Sequence, residues 1–227
     1  MWLTSMLWSL VGLGTAVAAW ELRRWASRWG ATPEECVATW PGDELSPRAT
    51  EVTTRAVCID APAEAVWGWV VQVGQDRAGF YSYTWLENLF GCVMPRVERI
   101  VPEWQDRTLG DIVWVARADR YHGEARQKVI RLDRGRVLAL ASPADWGRLV
   151  RHEASRGGTW TFILVPIDQG HTRLVERSRG PEAPSVLGRL FWVMGFEPAH
   201  FIMERKMMLG IKLLAERTRG SDVALAS

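Results

Sequence analysis

Residues 124 to 179 restrict the fold more than any other part of the chain. Four runs, EARQKVIRL (124–132), RVLALAS (136–142), GTWTFILVP (158–166) and HTRLVERSR (171–179), have strand length and strand composition. Asp133-Arg134-Gly135 and Asp168-Gln169-Gly170 give short polar turns between neighbours. Strands joined so closely pair antiparallel, because a parallel neighbour requires a long crossover. EVTTRAVCID (51–60) and the IVWVAR run after Gly110-Asp111 extend the set to an antiparallel sheet of about six to seven strands.

Helical periodicity flanks this sheet. In APAEAVWGWVVQVG (61–74), Pro62 suits the first turn and Val66, Trp69, Val70 and Val73 recur on one face until Gly74. A short helix is predicted over 84–90. Pro181 and Pro184 end the strands, SVLGRLFWVMG follows, and Glu197-Pro198 restarts a long helix through AHFIMERKMMLGIKLLAER. Phe196, His200, Met203, Met207, Ile211 and Leu214 form its apolar stripe. Helices segregated to one face of an antiparallel sheet define an α+β domain.

The N-terminus has another character. WLTSMLWSLVGLGTAVAAW (2–20) lacks charge, and as a helix it spans about 28 Å, close to a bilayer's hydrocarbon thickness. Arg23, Arg24 and Arg28 follow, and Trp2, Trp20, Trp25 and Trp29 sit near its ends. The expectation is a membrane-anchoring helix over residues 1–29 with the globular part cytoplasmic. Export after cleavage near Ala16-Val17-Ala18 and a buried N-terminal helix are the alternatives. Residues 30–49, with Pro33, Pro41 and Pro47, read as a linker with a helical turn at 33–37. The folded domain is expected over 50–219 and a disordered tail over 220–227.

Composition narrows the function. Net charge is only +2, from 28 basic and 26 acidic residues, so nucleic acid is not an expected partner. Cys36, Cys58 and Cys92 form no CxxC pair, and the four histidines have no metal-ligand spacing. Neither a metal site nor a cofactor is expected, and no nucleophile elbow or P-loop is legible. Tryptophan is abundant at 14 residues, as in large cores, membrane interfaces and sites for flat ligands.

Three blocks, AGFYSYTWLENLFG, IVPEWQDRTLGD and PAHFIMERKMMLGIK, together with APAEAVWGWV after the first strand, resemble a bacterial subgroup of the SRPBCC superfamily. That group of helix-grip proteins includes START lipid-binding domains and polyketide cyclases and dehydrases. The resemblance covers residues 50–217, roughly three quarters of the chain. It implies a curved sheet wrapped on the C-terminal helix, with a cavity between them for a hydrophobic small molecule such as a lipid or polyketide-like compound. Thr84 stands where the subgroup's pattern implies an acid.

GFYSYTWLENLFG (79–91) carries five aromatic side chains in thirteen positions. Such rings are either ordinary core or the wall of a cavity that something else fills. On the cavity reading, the ligand-binding candidates are Tyr81, Tyr83, Trp85, Trp69, Trp114, Trp160, Met203 and Met207. Arg177 joins them if the register of its strand points it inward; shifted by one residue, Glu176 or Ser178 faces inward instead. His200 and Glu87 are the acid–base candidates for a cyclase or dehydratase. Glu204 offers another carboxylate, on the cavity or on a solvated face. A third reading is an interaction module whose core is filled by its own side chains.

Overall fold

The computed structural model describes residues 2–182 and 185–226. Pro184 and Ser227 lie outside them, as do the side chains of Trp2 and Phe196. Six antiparallel strands form one sheet: β1 (Val52–Ile59), β2 (Ile112–Trp114), β3 (Arg126–Asp133), β4 (Val137–Ala141), β5 (Thr159–Pro166) and β6 (Thr172–Arg179). Their spatial order is β1-β6-β5-β4-β3-β2, so β2 to β6 form a meander and β1 closes against its last strand. A register shift between Val129 and Arg131 marks a bulge in β3, a device that bends a sheet.

Alternation decides what each face touches. Ile59, Leu138, Leu140, Phe162 and Leu174 point to the inner face. There they meet α3 (Ala63–Val71), through Val66, Trp69 and Val70, and α7 (Glu197–Ala226), through Met207, Met208 and Ile211. α7 is continuous through 220–226, the stretch expected as a tail. The α+β class, the antiparallel sheet and the long C-terminal helix are therefore as the sequence indicates.

The outer face is covered too. Ala56, Val137, Ile163 and Val175 pack against Ala31 and Trp40. Residues 30–49, expected as a linker, form a strap over this face. It contains α2 (Pro33–Val37), closed by a capping box in which Thr32 and Glu35 satisfy each other's backbone N–H. Gly30 has φ +71°, and a Cβ there would lie 2.1 Å from the Ala56 carbonyl oxygen, so this crossing needs glycine. Charge fixes the strap as well: Arg173 meets Glu35 at 2.7 Å, and Arg177 meets Asp43 at 2.9 Å. Burial opposes ionisation of Asp43, yet Arg177 and Arg179 hold its carboxyl below its ordinary pKa.

The first element, α1, runs from Trp2 to Ser27. Among the described residues, no helix is long and apolar enough to cross a membrane, so the expected anchoring helix is not supported as a span. Thr4, Ser5, Ser9 and Thr15 dilute the run, and its last turns dock on the domain instead. Arg23 bridges Glu51 and Glu197, each at 2.8 Å, and Trp25 meets Phe201 edge-on at 5.4 Å.

Candidate functional site

A short helix, α4 (Thr84–Leu89), lies over the inner face. Between α4, the sheet and the first turns of α7 is a cavity of about 330 Å³, within the size range of small-molecule sites. Phe80, Trp160, Met203 and Met207 give it apolar walls; Glu87, Gln127 and His200 are among its polar groups. Phe80 stacks on Trp160 with ring centroids 5.9 Å apart, and Trp160 lies 5.9 Å from the His200 ring. Helical spacings of four and three residues put His200, Glu204 and Met207 along one side of α7.

A buried ionic group reaches this wall through Glu204. Arg55, on β1, is 1% exposed and bonded to Glu204, with Glu176 on β6 at 3.5 Å. Ser178 donates to Glu176 at 2.5 Å, and Arg55 Nε donates to the Ala26 carbonyl of α1 at 2.9 Å. His200 Nδ1 sits 3.3 Å from Glu204 Oε2. Because Arg55 already compensates Glu204, that carboxylate does not favour imidazolium. Burial, with the Arg55 charge second, pushes the His200 pKa down to about 3. The ring is neutral at physiological pH.

Glu87 is shifted the other way. Burial raises its pKa to about 7, and its Oε2 is buried without a hydrogen-bond partner among the described residues. One cavity therefore holds a neutral imidazole and a carboxyl near its titration midpoint, a pairing suited to general acid–base work. Since the folded pKa lies above the unfolded one, the stabilising neutral form is fully present below about pH 4.5 and lost as pH rises through about 7. Glu87→Gln, which cannot ionise, is expected to be about 1–2 kcal/mol more stable than the parent at pH 8 and close to it at pH 5. Urea unfolding at the two pH values checks this, and equal stability at pH 8 counts against it.

The candidates divide. Glu87, His200, Trp160, Met203 and Met207 line the cavity together. Tyr81, Tyr83 and Trp85 line a neighbouring groove against Lys206 and Leu213. Tyr81 has φ +54°, and its phenol donates to the Trp69 carbonyl at 3.1 Å and accepts from Gln72 at 2.9 Å. Burial holds that phenol well above its usual pKa. Trp69 is core, 2% exposed, and Trp114 lies beneath Arg126 at 5.7 Å. Arg177 as a ligand group is corrected: it faces the strap, while Glu176 faces inward.

Phe80, Gln127 and Arg55 are additions to the candidates, while Glu204 takes the cavity side of its two sequence readings. A signal for Arg55 exists, because period-2 alternation puts it on the same face as Val57 and Ile59. A charge in the buried phase of a strand implies a buried partner.

No family model matches the chain, and no curated protein matches it. Solved structures do resemble it. Norcoclaurine synthase of Thalictrum, a point mutant bound to a transition-state analogue, is 14% identical over 74% of this chain and 96% of its own, with a TM-score of 0.42. The Aha1 dimer of Colwellia psychrerythraea gives 12% over 74% and 97%, with a TM-score of 0.41. A Polyketide_cyc-like protein of Corynebacterium glutamicum gives 14% over 71% and 88%, with a TM-score of 0.35. All are SRPBCC-type folds, the type that the motifs in residues 50–217 resemble.

Proposed function

We propose that the chain binds an apolar small molecule carrying one or two hydrogen-bonding groups in the cavity between α4, the sheet and α7. The observation that supports this most is the Glu87 oxygen, buried in a largely apolar wall without a hydrogen-bond partner among the described residues. A buried polar atom without a partner is costly, and a ligand hydroxyl or a protonated amine there would satisfy it. Shape and apolar burial would supply the affinity, with Glu87 and His200 fixing orientation.

Native mass spectrometry of the chain purified from its host is expected to show a bound organic compound. Met203→Trp, which adds an indole to the cavity without replacing any ionic contact, should abolish that adduct while leaving the thermal midpoint within a few degrees. Retention of the adduct in the variant would place the ligand elsewhere.

A second reading, acid–base catalysis of the cyclase or dehydratase kind, is favoured by one observation. Glu87 and His200, both on the cavity wall, have pKa values driven apart, about 7 for Glu87 and about 3 for His200. Its test is turnover in Glu87 and His200 variants.

A further inference from the structure

A second cavity, of about 310 Å³, lies where the last turns of α1 cross the start of β1 and the turn before α7. Three arginines reach it, and they are not equivalent. Arg23 is compensated by Glu51 and Glu197. Arg24 lies over the Trp20 ring at 5.5 Å, and neither it nor Arg28 pairs with a carboxylate among the described residues. On the opposite wall, Thr53 Oγ1 and Glu197 Oε1 are buried without hydrogen-bond partners among the described residues, and Glu197 is 6% exposed. The carboxylates of this lining, Glu51 and Glu197, are taken up by Arg23, which leaves Arg24 and Arg28 without an anion and the Glu197 Oε1 atom without a donor among the described residues.

Directly beside it is an apolar cavity of about 490 Å³, walled by Leu22, Ala26, Met194, Phe201 and Ile202, which shares Arg23 and Glu197 with the first. Trp8, Leu13 and Val17 on α1 are exposed nearby in the chain, as are Val186, Leu187 and Leu190 on α6 (Val186–Phe191). We propose that the two cavities form one amphipathic site for an anionic glycerophospholipid whose headgroup carries a hydroxyl. Its phosphate lies against Arg24 and Arg28, its hydroxyl donates to Glu197 and accepts from Thr53, and an acyl chain enters the apolar half. The lipid is one resident in a bilayer, because the exposed apolar side chains of α1 and α6 extend the apolar half outward, as in helices that lie along an interface. The site is separate from the α4–α7 cavity and does not depend on what that cavity binds.

The test is flotation of the whole chain with vesicles. Phosphatidylcholine vesicles containing phosphatidylglycerol should bind about thirty-fold more tightly than phosphatidylcholine alone, as two basic groups at an anionic surface imply. The Arg24→Gln/Arg28→Gln double variant should lose that preference while keeping its unfolding midpoint. Phosphatidylglycerol should also outcompete phosphatidylmethanol, which is anionic but has no headgroup hydroxyl, and Glu197→Gln should erase that difference. Equal binding to neutral and anionic vesicles overturns the proposal, as does a preference that survives the double variant. Displacement from vesicles by millimolar glycerol 3-phosphate would assign the site to a soluble phosphate instead.

Discussion

Arg55→Met is expected to destabilise the chain by about 3–5 kcal/mol, the usual cost of removing one partner from a buried ion pair. Glu176 is fully buried, Glu204 is 2% exposed, and the guanidinium between them is their compensation. Methionine fills similar volume, so the loss is electrostatic rather than a packing defect. Two observations separate these causes. Adding Glu176→Gln and Glu204→Gln should recover most of the loss, because neutral amides need no cation. The deficit should also depend on pH. Burial already raises the Glu176 pKa, and without the Arg55 charge it moves further up. Groups raised in the folded state keep their stability below the unfolded value and lose it as pH rises. Urea midpoints should thus differ little at pH 4.5 and widely at pH 8. A deficit identical at both would mean that packing is responsible.

The other large effect concerns chemistry. On the catalytic reading, Glu87→Gln and His200→Gln each lower the turnover of a cavity substrate by about 10²–10⁴-fold, the usual contribution of a positioned acid or base. Their pH profiles distinguish the roles. The parent should show a limb near pH 7 from Glu87, absent in Glu87→Gln and retained in His200→Gln. His200, with its pKa near 3, contributes no limb between pH 5 and 9 and acts as the neutral ring throughout. Glu204→Gln, behind His200, should alter the orientation of the imidazole and lower kcat with little change in KM. A compound that occupies the cavity and leaves it chemically unchanged would remove the catalytic reading and keep the carrier.

Much of the fold was legible because short turns join β3 to β4 and β5 to β6, with only the β4–β5 connection longer and carrying α5 (Trp146–Val150), and because these strands carry apolar residues on alternate positions. β2 was less so: it has three residues, and Val113 is the one buried among them. The facing of β6 could not be read from its own sequence, since Arg173, Glu176, Arg177 and Arg179 put charges on both sides. Partners far away resolve it: Asp43 in the strap takes Arg177, and Arg55 on β1 takes Glu176. Of the candidate site, His200, Met203 and Met207 followed from helical spacing, which is local information. Tyr81, Tyr83 and Trp85 went elsewhere because Tyr81 adopts a left-handed backbone against Gly210, where a Cβ would lie 2.4 Å from the Tyr81 carbonyl oxygen. That reversal depends on a glycine 129 positions away, so no window around the aromatic cluster contains it.

The Ala26 carbonyl, the Arg55 guanidinium, the Glu204 carboxylate and the His200 ring form a continuous relay from α1 to the cavity. A trimmed fragment beginning at residue 30 would sever its first link and leave Arg55 Nε without its acceptor. Such a shortened chain is a poor surrogate for the whole molecule, because the amputated helix is wired into the imidazole's surroundings and is no detachable handle.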